Sequence, residues 1–362
     1  MSASAPPEVV LHIGSDKTGT TSLQQLLRRN RRELAGRGIL YPRAPGPVRH
    51  AGLGLYARPD HALLESRDWL RGGYPAPDVF RRRLRRRLVR EVATWAPARV
   101  VLSDESLARM APDSITRLRG LIDALGGPVR VVVYLRRQDD HLVSRYQQAV
   151  KVGEVLPLAA WALRDFSSMY DFAALLRNWQ GALGPREIVV RPFERARFSQ
   201  GSLEQDFLDA TGMDVRLADL RPVELRNESL GVEAVEMLRI LNLHRRENQG
   251  LPTWQISNRD HVKRLRGTES GPQVTLPEPD LDRFMQQWEE SNRRVAVEHL
   301  GDPSGELFHA PRRTEGTTTD QVLDPARLDH YLALMEIPEQ QHGAIRRIAE
   351  REAARGQTDG SP

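Results

Sequence analysis

The sequence predicts an α/β protein: a central parallel sheet with helices on both faces and a helical C-terminal extension. Two observations carry this. Short apolar runs rich in β-branched residues (VVLHI at 9–13, RVVLS at 99–103, VRVVVYL at 129–135) have the length and apolarity of buried strands. Stretches of helical periodicity separate them, and strands alternating with helices imply parallel pairing. Ligands of such sheets sit at the carboxyl ends of the strands.

Residues 9–13 form the first expected strand, followed by the loop GSDKTGT at 14–20. A helix follows with Leu23, Leu26, Leu27 and Leu34 along one side. Thr20, Thr21 and Ser22 stand at N-cap positions, and Gly36 and Gly38 mark its stop. Residues 38–41 make a second strand, ended by Pro42. The Pro- and Gly-rich stretch 43–77 reads as loop with short helical pieces. Leu84, Leu88 and Val92 recur at helical spacing through the run RRRLRRRLVR, which predicts an amphipathic helix with a solvated arginine face.

Residues 99–103 are the third strand, followed by Asp104 and Glu105. A helix over 115–125 stops at GGP, and the fourth strand, 129–135, runs into Arg136 and a helix bearing Leu142, Ser144 and Tyr146. A helix over 170–183 and a fifth strand over 187–191 come next. Helices are then expected over 203–211, 232–244 and 281–300, with Asn227 to Ser229 as an N-cap region before the second. The segment 311–320 reads as a linker, and 325–355 as two short helices. The expected organisation is one α/β domain over 8–310 and a linker with a short helical tail over 311–362.

At 362 residues, with 28% charged and 40% hydrophobic side chains, the composition is that of an ordinary soluble globular protein. No apolar run approaches the length of a membrane span. The start MSASAPPE lacks the basic and apolar parts of a signal peptide. The absence of cysteine excludes disulfides and thiolate metal sites. A cytoplasmic protein without a metal centre is expected. The net charge of +5 is modest for this length, and aromatic residues, 6% of the chain, do not interleave with the arginines. A nucleic-acid partner is therefore not expected.

Strand, glycine loop and helix N-terminus together make an anion site. First-turn N–H groups have no intrahelical partner, and the helix dipole favours negative charge there. Lys17 adds a mobile cation. The chain has only three lysines, Lys17, Lys151 and Lys263, against fifty arginines. A lysine in this loop therefore marks a place for a compact ammonium rather than a planar fork. The loop is not the nucleotide loop GxxxxGK[ST], because Lys17 precedes Gly19 instead of following it. At the end of the fourth strand Arg136, with the hydroxyl of Ser144 farther along, suits a phosphate monoester.

Together these segments resemble the sulfotransferases that use 3′-phosphoadenosine 5′-phosphosulfate, in a bacterial, carbohydrate-type-like branch. The resemblance rests on KTGTTS at 17–22 after a strand, similar to the family's 5′-phosphosulfate loop. It rests also on Arg136 with Ser144 after a central strand, the family's spacing for the 3′-phosphate, and on Tyr146 two residues on. The order HIGSDKTGTTSLQ, LSDES, YLRR, SRYQQ, YDFAALLRNW, VVRPFER matches in layout over roughly residues 9–300.

The resemblance implies a P-loop-NTPase-like sulfotransferase fold and in-line transfer of a sulfuryl group to a hydroxyl or amine of a small-molecule or carbohydrate acceptor. It implies donor binding by Lys17, Thr18, Gly19, Thr20, Thr21, Ser22, Arg136 and Ser144. Lys263 and Arg266, before Gly267, would close over the adenosine. Lys17 would neutralise the leaving group, with Glu105 or His50 as the base. A kinase with an atypical phosphate loop should instead carry an acidic Mg²⁺ ligand at a strand end, where Asp104 stands. A nucleotide-binding protein without turnover would keep the loop and lose the chemistry.

Overall fold

The computed structural model describes residues 5–223, 230–266 and 271–359. Five strands form one parallel sheet: β1 (Glu8–His12), β2 (Ile39–Leu40), β3 (Arg99–Ser103), β4 (Val129–Leu135) and β5 (Glu187–Pro192), in the order β2-β3-β1-β4-β5. Val9, Val10 and Leu11 in the central strand are all fully buried. Successive strand residues point to opposite faces, so both faces of the sheet are covered. One face packs Val10, Val101, Val132 and Tyr134 against Leu23, Leu26 and Leu27 of the first helix and against Phe207 and Leu208.

The chain forms two compact units, each assembled from separate segments. The first comprises 1–137, 166–225 and 288–310 and holds the sheet; the second comprises 138–165, 226–287 and 311–362. The units therefore interleave along the sequence, where the sequence reading has one domain followed by a tail. In the second unit, helices Gln138–Lys151, Val232–Gln249 and Glu339–Asp359 surround a buried cluster of charges. The guanidinium of Arg239 binds Glu236 at 2.6 Å and Glu352 at 2.9 Å and donates to the carbonyl of Val155. Gln321 joins Glu236 to the hydroxyl of Tyr146.

Several elements depart from their expected bounds. The first long helix is two, Thr20–Arg29 and Arg31–Gly36, broken at Asn30. Asn30 holds the break in place: its amide binds the carbonyls of Leu26 and Arg221 and accepts from the N–H of Arg221. The helix expected over 281–300 is also two, Glu278–Gln286 and Glu289–Leu300, and the division between the units falls between Gln287 and Trp288. Within 311–320, Thr317–Thr318 (β7) pairs in parallel with Gln273–Val274 (β6). Arg312 reaches Asp139 and Asp282, so this stretch is anchored rather than a plain linker. The final helix is 21 residues long, not a short piece. Asn227 to Ser229 and Gly267 lie outside the described residues. Among the described residues no helix is long and apolar enough to cross a membrane.

Candidate active site

The ends of β1, β3 and β4 lie side by side, and each releases one part of the site. Register pairs His12 with Ser103, so the residues two positions farther on, Gly14 and Glu105, also come together. A Cβ on Gly14 would lie 3.5 Å from the Cα of Glu105 and only 2.8 Å from the methyl of Thr20. The sheet itself thus sets the base candidate beside the anion loop.

The loop turns on left-handed backbone at Lys17 (φ 64°) and Gly19 (φ 74°). For a lysine this conformation is costly, and such strain persists where the surrounding structure enforces it. Here Arg136, just past the end of β4, donates to the carbonyl of Lys17 at 3.1 Å. Gly19, rather than a hydroxyl residue, caps the first helix; a side chain there would also run into Leu203. Among the described residues no side chain caps this helix and no acidic residue sits in its first turn. First-turn N–H groups and the helix dipole at such an end suit an anion.

The hydroxyls of the motif divide by role. Thr18 is buried and donates to the carbonyl of Ser15 at 2.6 Å, closing the loop on itself. Thr20 is also buried and donates to Oε2 of Glu105 at 2.6 Å. A hydroxyl has one proton to give, so Thr20 in this state holds Glu105 rather than an anion. Thr21 is exposed, Ser22 half-buried and Lys17 exposed, which leaves these three side chains at the surface of the loop.

Glu105 is held from its other side by Arg49, whose Nη1 lies 3.2 Å from Oε1. The same guanidinium reaches Asp68 at 3.4 Å and Asp104 at 3.6 Å. Burial works against the charge of Arg49, but Asp104, Glu105 and Asp68 outweigh it and raise its pKa above the ordinary arginine value. Asp104 is fully buried and accepts from the N–H groups of Gly54 and Ser106 and from the Ser106 hydroxyl. Burial pushes its carboxyl up despite Arg49. Its oxygens are turned onto these donors. No group of side chains suited to a metal ion occurs among the described residues.

The structure corrects the expectation for His50. This residue is fully buried, stacked 4.2 Å from Tyr41, and both ring nitrogens are engaged. Nδ1 accepts from the N–H of Ser103, so the proton sits on Nε2, which donates to the carbonyl of Pro42. Burial lowers its pKa to about 3. It is a neutral brace between the 42–50 loop and β3, with no nitrogen left for an acceptor. His12 is likewise buried and lowered to about 3, with Nδ1 on the Ser103 hydroxyl and Nε2 without a partner. Ser103 also receives Gln24 of the first helix, making it the joint beneath the loop.

The remaining expected residues lie in the second unit. Ser144 is half-buried on the Gln138–Lys151 helix. Tyr146 is buried, donating to the carbonyl of Leu156 at 2.9 Å. Lys263 is exposed on helix Arg259–Leu265, and Arg266 is exposed just past its end. Arg49 is the site residue that the sequence does not single out. The adjacent acids Asp104 and Glu105 signal the need for a cation, but nothing chooses one arginine among fifty.

No family model matches the chain. An uncharacterized protein of Archaeoglobus fulgidus is 29% identical over 206 residues, 56% of this chain. The chain spans about half of that relative's length, 54%. A solved structure, a sulfotransferase from Alicyclobacillus acidocaldarius, aligns over 70% of this chain and all of its own, with 16% identity and a TM-score of 0.36. Likeness at that level leaves the chemistry to be argued from the site's own residues.

Proposed function

We propose that the protein is a sulfotransferase that moves a sulfuryl group from 3′-phosphoadenosine 5′-phosphosulfate to a hydroxyl or amine of a small-molecule or carbohydrate acceptor. The observation that carries this reading is the 2.6 Å hydrogen bond from Thr20 to Glu105, which sets a carboxylate directly against an anion-binding helix N-terminus. In the proposed step the S–O bond to the donor's 5′-phosphate breaks as a new bond forms from the acceptor oxygen or nitrogen to sulfur. Glu105 takes the acceptor's proton. Each carboxylate oxygen has two lone pairs, so the bonds to Thr20 and Arg49 leave capacity for that proton.

Lys17 and the N–H groups of Thr20, Thr21 and Ser22 neutralise the charge that develops on the leaving phosphate, the N–H groups being preorganised by the helix. Arg136 supports the loop through the Lys17 carbonyl and adds positive charge beside it. The assignment of Ser144 to the donor rests on the motif resemblance alone, and that of Lys263 and Arg266 on a basic, glycine-terminated stretch between helices, which no motif fixes. The kinase reading is disfavoured by the fully buried carboxylate of Asp104, which already accepts three hydrogen bonds from the protein.

Calorimetric titration with adenosine 3′,5′-bisphosphate, beside ATP with Mg²⁺, tests the donor site in the wild type, Lys17→Ala and Arg136→Ala. Bisphosphate binding weakened in both variants, with ATP poorer, supports the reading; tight Mg²⁺-dependent ATP binding sinks it. Glu105→Gln separates binding from chemistry: bisphosphate affinity should hold while transfer falls by about 10²–10⁴. Binding by the wild type without transfer to any acceptor class would mark a nucleotide-binding protein instead.

A further inference from the structure

We infer that Arg49 is a positioning residue that fixes the carboxylate of Glu105 for proton transfer, with the buried Asp104 as its anchor. The inference rests on the sulfotransferase reading for its consequence, but its geometry stands apart from it.

A glutamate has three rotatable bonds, and one at the mouth of a strand-end loop has room to swing. Two contacts remove that room. Thr20 holds Oε2 from the anion loop, and Arg49 holds Oε1 from the opposite side. The two bonds meet different oxygens, so together they fix the carboxylate plane and not only its position. A lone hydrogen bond would leave rotation about the side chain open.

Arg49 can serve as a clamp because it is itself held. Its fork faces three carboxylates, and one of these, Asp104, is itself held. Asp104 is fully buried and pinned by Gly54 and Ser106 through three hydrogen bonds. Glu105 follows Asp104 directly at the end of β3, so anchor and base share one stretch of backbone set by the sheet ladder. The planar guanidinium suits this task better than an ammonium, since it presents several donors in a fixed fork. Asp68, more exposed on the outer side, completes the set.

The effect on rate follows from alignment. Small misplacement of a reacting group costs up to about 10²-fold, and Arg49 makes no contact of its own with the anion loop's N–H groups. Loss of the clamp should therefore lower kcat and leave donor-product binding alone.

The experiment compares wild type, Arg49→Ala and Arg49→Lys by three readouts. The first is independent of any acceptor: with ¹³C at the glutamate carboxyl carbon, the Glu105 resonance is assigned by its loss in Glu105→Gln. It should relax as a fixed group in the wild type and show increased internal motion in Arg49→Ala, with Arg49→Lys between. The second is adenosine 3′,5′-bisphosphate affinity, expected within about twofold of wild type in both variants. The third is transfer kinetics, with kcat lowered about 10- to 100-fold in Arg49→Ala and partly recovered by Arg49→Lys or added guanidinium. Unchanged carboxyl relaxation in Arg49→Ala overturns the inference whatever the activity does. Equal loss of bisphosphate affinity and thermal midpoint shows a merely structural arginine and overturns it too. A wild type whose Glu105 is fixed by Arg49 but which transfers no sulfuryl group would sink the proposed function and leave the clamp standing.

Discussion

Thr20 and Glu105, 85 residues apart in sequence, meet through a 2.6 Å hydrogen bond that joins the first turn of the first helix to the end of β3. The bond ties the anion loop to the base candidate through the Thr20 hydroxyl. Under the proposed function Thr20 would serve the acceptor chemistry as well as donor binding, although its place in the motif suggests only the latter.

Replacing Thr20 by Val removes that donor while keeping the branched shape. Transfer should fall about tenfold or more, as expected when a positioned catalytic group loses its orienting bond. Bisphosphate affinity should fall less, because backbone N–H groups carry the anion. Thr20→Ser should restore both. Steady-state kinetics beside calorimetry decides this, and equal losses in both quantities would return Thr20 to the donor site alone.

Gly19→Ala places a side chain on left-handed backbone and against Leu203. Leu203 is flexible enough to give way, so the backbone sets the cost, about 1–2 kcal/mol. Urea unfolding should show that loss, and calorimetry should show weaker bisphosphate binding as the first turn shifts. Full retention of both would mean that the loop tolerates another path.

Stability should fall in acid through His12 and His50. Both are held neutral by burial, with folded pKa values lowered to about 3. In the unfolded chain a histidine titrates near 6.5, so below that pH the unfolded state binds more protons. Their contribution is complete above about pH 6.5 and is lost as pH falls toward 3. Each adds a slope of about 1.4 kcal/mol per pH unit within that window. His50→Gln should lower the overall stability and flatten the slope by one proton, measured by denaturant unfolding between pH 4 and 7. An unchanged slope would refute the buried neutral imidazole.

In the second unit, Arg239→Ala would remove the cation that bridges the buried carboxylates of Glu236 and Glu352; Glu352 would keep Arg351 and Arg355, and Glu236 the amide of Gln321. Breaking a buried pair in this way costs about 3–5 kcal/mol. Replacing all three residues by apolar ones of similar volume should recover most of the loss. Denaturant unfolding of the single and triple variants tests both statements; a triple variant as unstable as the single one would mean that the charges are required for packing.

The strands were legible because each is a short β-branched run bounded by Gly, Pro or Asp, and β3 and β4 occur at their expected bounds. The glycine turn between β1 and the first helix was legible from its local sequence, whereas its use as an anion site belongs to the proposed function. Sheet order was not, since nothing in VVLHI or VRVVVYL names a neighbour. Nor was the interleaving of the two units, which depends on where helices dock after β4 and after Gln287. His50 and Arg49 mark the same limit. They are neighbours in one loop, yet one is sealed beneath Tyr41 and the other reaches three carboxylates. Composition and spacing carry no information on which of two adjacent side chains faces inward.

The pairing of His12 with Ser103 also separates what can vary from what cannot. Backbone ladders do not depend on side-chain identity, so the distance between loop and base is written into the sheet and not into the surrounding loops. Beyond Arg49, His50, Gly54 and Asp68, the segment 43–77 could be exchanged for another without retuning that distance. Under the proposed function, such a scaffold would take new acceptors by exchange of one insert, while the spacing of loop and base, set by the sheet, would stay the same.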